Sequence, residues 1–110
     1  MNKVILMGRL VRDPEVRYGQ EPEPIAVCRY HLAVNRRFHR QGEQDVDFIP
    51  CVAFGKAGEF AGQYFRKGQM VSVIGRMSVR SWDDNGTKRW STEVVIEEQY
   101  FAESKGVVNG

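Results

Sequence analysis

Apolar and polar side chains alternate along most of this chain, and a period of two residues is typical of β-strands with one buried face. The alternation predicts strands over residues 4–11, 25–36 and 46–54, and two more that begin at residue 70 and span about 88–101. Residues 14–24 are rich in Pro, Gly and Glu and indicate a long loop. A shorter exposed loop is predicted over 39–45, and Asn85-Gly86 predicts a tight hairpin between the last two strands.

One segment follows the helical period instead. Apolar residues recur every three to four positions over residues 56–67, which predicts a helix that ends at Gly68. We expect the aromatic residues of this stripe, Phe60, Tyr64 and Phe65, to lie in the core. The order strand, strand, strand, helix, strand, strand is typical of the OB-fold. The predicted fold is therefore all-β with one helix, a five-stranded OB-fold barrel whose helix lies between strands three and four.

Length and composition describe a single small domain. The chain has 110 residues, of which 42% are hydrophobic and 27% are charged, as in ordinary globular proteins. We expect residues 1–103 to form the domain and residues 104–110 to be a short frayed end. No apolar run is long enough for a membrane helix and no signal peptide is recognisable, which predicts a cytoplasmic protein without membrane contact.

The two cysteines indicate structure and not chemistry. Cys28 and Cys51 each lie within an apolar run, where a free thiol usually behaves as a small buried hydrophobe. Neither has a partner cysteine at metal-ligand spacing. We therefore expect no metal site and no other cofactor.

Positive charge is concentrated in the first 92 residues. The formal net charge is only +2, but these residues carry fifteen Lys and Arg against ten Asp and Glu. A basic surface favours a polyanionic partner, although charge alone does not identify one. Binding of a single nucleic-acid strand without reading its sequence also requires exposed aromatic rings that stack on bases, beside cations that neutralise phosphates.

Three segments combine aromatic and basic residues in this way. They are Phe38 among Arg36, Arg37 and Arg40; Phe48 and Phe54 on one face of the third strand, followed by Lys56; and Arg76, Arg80 and Trp82 on one face of the fourth strand, with Lys88 on the return arm of the hairpin. Phe48 and Phe54 could equally be core residues. The arginines of residues 36–40 could equally belong to a solvated loop without a binding role. Trp90 shares parity with apolar positions, so packing and binding both remain open for it.

Several short motifs follow one another between Asn2 and about Phe101. They are, in order, Asn2-Lys3-Val4-Ile5-Leu6-Met7-Gly8-Arg9-Leu10, Asp13-Pro14-Glu15-Val16-Arg17-Tyr18, Phe54-Gly55-Lys56, Tyr64-Phe65-Arg66-Lys67-Gly68, Gly75-Arg76 and Thr92-Glu93-Val94-Val95. This series resembles that of bacterial single-stranded DNA-binding proteins. The resemblance implies an OB-fold homotetramer that binds single-stranded DNA in replication, repair and recombination.

The resemblance also implies roles for individual residues. The family's base-stacking positions are occupied by Phe38, Phe48, Phe54 and Trp82. Its basic positions are matched by Lys3, Arg17, Lys56, Lys67 and Arg80, and by location alone by Arg36 and Arg37. The aromatic and basic segments add Arg40, Arg76 and Lys88 as candidate phosphate contacts. No catalytic residue is implied.

The chain departs from the family pattern in several places. Phe48 stands where many members have tryptophan, and the smaller phenylalanine ring should weaken stacking. Ile49-Pro50 stand where some members have His and Arg, and in those members the His belongs to a subunit interface. The loop over 39–45 is short. The sequence reaches Gly110 without the acidic tip that recruits replication and repair proteins, so such partners are not expected. The resemblance thus implies a truncated binding core or a tail-less member of the kind some bacteria use in DNA uptake, and we favour the tail-less member.

Two other functions fit the same fold. A primosome-type OB-fold protein acts mainly as an assembly adaptor. Loss of the stacking aromatics would favour that function, but this chain keeps aromatic residues at all four stacking positions. An enzyme such as a nuclease needs clustered carboxylates or a nucleophile with a positioned base. Asp83-Asp84 and Glu97-Glu98 are typical of solvated surface, and His31 and His39 lie on different elements. The sequence therefore predicts a non-catalytic, nucleoid-associated protein.

Overall fold

Six strands and one helix make up the part of the chain that the computed structural model describes, residues 1–20, 23–37 and 45–103. The elements are β1 (Val4–Leu10), β2 (Glu15–Tyr18), β3 (Ala26–Asn35), β4 (Val46–Phe54), α1 (Gly55–Tyr64), β5 (Met70–Asp84) and β6 (Thr87–Phe101). The predicted strands and helix are confirmed, with shifts of up to three residues at their ends. The prediction of a continuous loop over residues 14–24 is wrong, because part of it forms β2.

The first two strands are segments of one long strand that is interrupted at Asp13-Pro14. Both pair antiparallel with β3, Leu10 lying opposite Leu32 and Glu15 opposite Arg29. Proline has no N–H to donate and restricts the residue before it, so regular pairing stops there and resumes at Glu15. The six observed strands therefore correspond to the five that the pattern predicted.

The strands form a closed ring. Neighbours run in the order β1-β5-β6-β4-β3-β2, and β1 also pairs with β3, which joins the two ends. Pairing is antiparallel except between β4 and β6, which meet in parallel at Cys51–Val94 and Val52–Val95. In the described chain Pro50 lies just before that contact, where β4 pairs with β3 alone, and a residue without an N–H suits such an edge position. This is the mostly-β ring with one helix that the OB-fold prediction requires.

The core lies inside the ring, beneath α1. Alternate residues of β3, namely Cys28, Tyr30 and Leu32, point inward and are buried, as the period of two predicted. The Tyr30 hydroxyl donates to Gln99 Oε1 at 2.8 Å, and Gln99 Nε2 donates to the Ala57 carbonyl oxygen at 2.6 Å. These bonds satisfy the polar groups that enter the core and tie the helix to β6.

Both cysteines are free and buried, as predicted. Burial raises the pKa of the Cys28 thiol to about 11 and that of Cys51 to about 12, because the thiolate would lose its hydration. At neutral pH both side chains are therefore protonated and serve as small apolar groups.

The helix buries a narrower face than its aromatic stripe predicted. Phe65 is fully buried, but Phe60 and Tyr64 keep 36% and 42% of their surface exposed, so the prediction that these two belong to the core is wrong. The reason is close packing through small residues. A Cβ atom at the buried Gly58 would lie 2.6 Å from the Ala53 carbonyl oxygen, so the helix axis sits near the sheet and the larger rings move to its margin.

The last two strands continue beyond the ring as a two-stranded hairpin. β1 pairs with β5 only as far as Gly75, and β4 pairs with β6 only at Val94 and Val95. Residues 78–93 pair with each other alone, and we call this segment the hairpin arm. Its tip is the predicted Asn85-Gly86 turn, where φ values of 52° and 85° give the left-handed pair that a two-residue hairpin needs.

Candidate nucleic-acid interface

Two of the predicted stacking residues lie on the outer face of β4. Phe48 and Phe54 alternate with Cys51 and Ala53, whose side chains point into the ring. Their exposed fractions are 54% and 48%. Large rings held open at these values are not core residues, so that alternative is wrong for this chain.

Trp82 lies on the same face of the sheet, farther out on the hairpin arm. Directly paired residues share a face, and Val52 of β4 pairs with Val95 of β6, which pairs with Arg76 of β5. Arg80 and Trp82 follow Arg76 by four and six residues, which are even intervals, so they project to the same side as the two phenylalanines. Trp82 is 44% exposed. The fold thus brings together three of the four predicted stacking residues on one continuous surface.

A glycine joins this surface to the helix. Gly55 has φ 63°, a left-handed conformation that residues with a Cβ rarely adopt. It ends β4 while Phe54 still faces outward and starts α1 at once, so that Lys56 follows the ring in the first helical turn. The local motif Phe54-Gly55-Lys56 therefore places an exposed cation next to an exposed aromatic ring.

Several predicted phosphate contacts carry unopposed charge. Arg76 and Arg80 are exposed on the aromatic face and make no ion pair with any residue that the structure describes. Lys56 and Lys67 are likewise exposed and unpaired within the described ranges. Lys88 is exposed as well, but it lies opposite Asp83 and hence on the other face of the hairpin arm from Trp82.

Three other predicted phosphate contacts are engaged with carboxylates. Lys3 Nζ lies 2.8 Å from Glu97 Oε1, and Arg17 Nη2 lies 3.4 Å from Glu15 Oε2. Arg36 donates to Asp47 Oδ1 through Nε at 3.0 Å and through Nη2 at 2.8 Å. All three pairs are exposed to solvent, where such contacts are weak, and a phosphate can compete for the cation.

The Arg36–Asp47 pair precedes Phe48 in the chain, and alternation along β4 turns the Asp47 side chain to the other face of the strand. Hydrogen bonding from Arg36 holds the pKa of the Asp47 carboxyl below its ordinary value. At neutral pH this carboxylate is therefore charged, and it partly compensates the charge of Arg36. No feature of the sequence pattern indicated this pair, because residues 36 and 47 meet only through the pairing of β3 with β4.

Two predicted site residues, Phe38 and Arg40, lie outside the described residues. Arg37 is the last residue before them and is exposed. The fourth stacking position is therefore not part of the surface described above.

Trp90 is an exposed aromatic residue that the sequence left open between packing and binding. It is 65% exposed, so the packing alternative is wrong within this chain. Trp90 pairs with Ser81, whereas Trp82 pairs with Arg89, so the two tryptophans project from opposite faces of the hairpin arm. The signal that could have indicated this is the Asn-Gly turn, which fixes the register of the whole hairpin.

The remaining chemistry is sparse. Among residues 1–20, 23–37 and 45–103, no group of three or more His, Cys, Asp or Glu is placed where it could hold a metal ion. No helix in that part of the chain is both long and apolar enough to pass through a membrane.

Comparison with known proteins gives a consistent set of relatives. The profile of the Single-strand binding protein family matches residues 1–102. The chain is 48% identical to single-stranded DNA-binding protein 2 of Clostridium acetobutylicum, over 94% of this chain and 77% of that protein. It is 46% identical to single-stranded DNA-binding protein 3 of the same organism, over 94% and 72%. The single-stranded DNA-binding protein of Halalkalibacterium halodurans is 45% identical over 96% of this chain and 63% of its own length.

Proposed function

The chain belongs to the Single-strand binding protein family, and from that premise we propose that it binds single-stranded DNA without reading its sequence. The observation that carries the proposal is the open row of Phe48, Phe54 and Trp82 on one face of the sheet. Every base has a π face, so each ring can stack on any base and contribute about 1–3 kcal/mol. Arg76 and Arg80 share that face and attract the phosphates between the stacked bases.

We assign two sets of residues to the interface. The stacking set is Phe38, Phe48, Phe54 and Trp82, and the phosphate set is Lys3, Arg17, Arg36, Arg37, Arg40, Lys56, Lys67, Arg76, Arg80 and Lys88. Phe38 rests on the sequence pattern and the motif resemblance, Arg40 on the sequence pattern alone, and the others also on their exposure in the fold. We assign the binding unit to residues 1–103, so removal of residues 104–110 should leave the affinity for single-stranded DNA unchanged.

The test uses the two tryptophans of the chain as separate reporters. In the variant Trp90→Phe only Trp82 emits, and in Trp82→Phe only Trp90 emits. Titration with unstructured oligo-dT should strongly quench Trp82, because stacking brings a base against the ring. Trp90, on the opposite face of the hairpin arm, should change much less. If neither variant responds and a labelled oligonucleotide shows no retention, the proposal is wrong.

The affinity should also depend steeply on salt. For a single strand, the logarithm of the association constant falls with the logarithm of salt concentration with a slope of about −0.7 for each phosphate neutralised. A slope near zero would contradict phosphate binding. Double-stranded DNA of equal length is the control, since its bases are not available for stacking.

We further propose that the protein assembles as a homotetramer. Large apolar side chains are exposed on the outside of the ring near β1, namely Ile5 and Met7 on β1 and Tyr100 on β6. Met7 pairs with Ser72 of β5, which pairs with Tyr100, so Met7 and Tyr100 lie in one row across the three strands. A second copy would cover this surface, which is unusual for a monomer. Light scattering should give four times the chain mass of 12.6 kDa. The variant Met7→Glu should lower that mass, and a wild-type mass equal to one chain would contradict the assembly.

A protein of this kind acts on exposed strands in replication, repair, recombination or DNA uptake, at the nucleoid in the cytoplasm, and is not an enzyme. Incubation with labelled single-stranded DNA and Mg²⁺ should leave the DNA intact. The assembly-adaptor function would be favoured instead if protein partners were captured while oligo-dT bound no better than a neutral polymer.

A further inference from the structure

Within the described residues, no strand of the ring pairs with the hairpin arm. One ion pair joins the last residue of the arm to β3, since Arg29 Nε lies 3.5 Å from Glu93 Oε2. Beyond Gly75 no residue of β1 pairs with β5, and before Val94 no residue of β4 pairs with β6. The arm nevertheless carries Arg80 and Trp82. Trp82 lies five residues beyond Met77, about 16 Å at the usual rise of a strand. A small change of angle at the base of the arm therefore displaces the ring by several ångströms.

Asn2 contacts the base of the arm through its side chain. Its Nδ2 donates to the Met77 carbonyl oxygen at 2.8 Å, and its Oδ1 accepts from the Met77 N–H at 2.8 Å. Val4 pairs with Gly75, so continuing the same antiparallel register by two residues would place Asn2 opposite Met77. The side-chain amide, which has the same donor and acceptor as a peptide group, thus replaces one further rung of the sheet.

The neighbouring residue contacts the other strand of the arm. Lys3 Nζ lies 2.8 Å from Glu97 Oε1 on β6. Glu97 is the extra residue of a bulge, since Gly75 pairs with Ile96 while Ile74 pairs with Glu98. Residues 2 and 3 therefore hold β5 and β6 at the point where the arm leaves the ring, next to the irregularity that would otherwise let it bend.

From this arrangement we infer that Asn2 is a positioning residue for DNA binding: it contacts no DNA itself but fixes the direction of the hairpin arm, and so of Trp82. The inference rests on the proposed function. It differs from a general role in stability because the two bonds hold β5 at the base of a segment that has no strand partner in the ring among the described residues; the Arg29–Glu93 ion pair holds β6.

The test compares Asn2→Ala with the wild type, both prepared without an N-terminal tag. Amide hydrogen exchange without DNA should speed up in residues 78–93 and not in β3 or β4, because only the arm loses a contact. The dissociation constant for oligo-dT should rise about five- to tenfold. The salt slope should become less steep by no more than about 1.4, the share of Arg80 and Lys88, which are the two assigned cations that the arm carries. A larger change would mean that Asn2 acts on phosphate contacts outside the arm, and would overturn the inference.

Two further variants separate positioning from general stability. Gln69→Ala also removes a neutral amide that binds one backbone N–H, that of Arg66 at 2.8 Å, in the turn before β5. It should leave the arm's exchange and the affinity for oligo-dT as in the wild type. Asn2→Asp keeps the acceptor for the Met77 N–H and loses the donor, so the exchange of the arm should lie between those of the wild type and Asn2→Ala.

The outcomes distinguish this inference from the proposed function. If wild-type protein does not bind oligo-dT, the proposed function fails, while the exchange experiment still decides whether Asn2 holds the arm. If the wild type binds and Asn2→Ala has the same exchange in residues 78–93 and the same affinity, the inference is overturned. It is equally overturned if exchange rises uniformly over the whole molecule.

Discussion

The Arg36–Asp47 pair gives a test that acts on the charge of the interface and leaves its rings in place. Asp47→Asn keeps the size of the side chain and removes its charge. In the native protein Arg36 donates twice to Asp47 Oδ1, at 2.8 and 3.0 Å, so part of its charge is already compensated. In the variant Arg36 becomes available to a phosphate, and the affinity for single-stranded DNA should increase.

The size of the effect follows from counterion release. One additional phosphate contact makes the salt slope steeper by about 0.7. If the affinities of variant and wild type converge at 1 M salt, the variant should bind about eightfold more tightly at about 50 mM. Between about 50 and 200 mM its advantage should shrink by about 2.6-fold. The assay is a titration of labelled oligo-dT followed by anisotropy at four or more salt concentrations.

The matched control is Glu103→Gln, which releases Arg9 from a contact of 3.3 Å. It removes the same charge at an exposed pair, but Arg9 is not among the residues assigned to DNA. Its slope should equal that of the wild type. Equal slopes for Asp47→Asn and wild type would refute the reasoning that Asp47 withholds Arg36 from a phosphate, and a steeper slope in both variants would show that only net charge matters.

Three further outcomes are expected. Trp82→Ala should weaken binding of oligo-dT by about 1–3 kcal/mol in a titration, the value of one stacked base, and an unchanged affinity would remove Trp82 from the interface. Gly75→Ala should lower the free energy of unfolding by about 3 kcal/mol in urea, because a Cβ there would lie 2.1 Å from the Val95 carbonyl oxygen; a loss of under about 0.5 kcal/mol would mean that the strands separate easily. Burial raises the pKa of Cys28 from 9.0 to about 11 and that of Cys51 to about 12, so the folded thiols stay protonated where the unfolded ones ionise. The stability this gives is complete below pH 9 and is lost as the pH rises to about 12, which urea midpoints measured across that range should follow.

Much of the fold could be predicted because its signals are local. The alternation in β3 and β4, the Asn85-Gly86 turn and the helical stripe each depend on residues close in sequence. The errors occur where tertiary packing outweighs the local pattern. β2 forms within a Pro- and Gly-rich stretch because β3 offers it a pairing edge. Phe60 and Tyr64 stay half-exposed because Gly58 lets the helix approach the sheet closely.

The candidate site divides in the same way. Trp82 could be singled out from residue type and spacing, together with the arginines that share its face. Phe48 and Phe54 are assigned to stacking by the family resemblance, because their spacing leaves them open between core and surface. That the rings lie on one surface depends on the pairing of β4 with β6 and of β6 with β5. The carboxylates that engage Lys3 and Arg36 could not be predicted, because those pairs arise only when the strands are in register.

By itself the sequence determined the periodicity of apolar residues. That periodicity, with the Asn-Gly turn, indicated which segments are strands, which one is the helix, where the hairpin turns and which side chains share a face. These follow from the fixed geometry of the backbone, in which side chains alternate across a strand and recur every 3.6 residues in a helix. Only the tertiary structure decided which faces meet, which cations are paired and what holds the hairpin arm. Asn2 and Met77 are 75 positions apart in the chain, and a contact at that separation is set by the closure of the ring and not by either residue's neighbours.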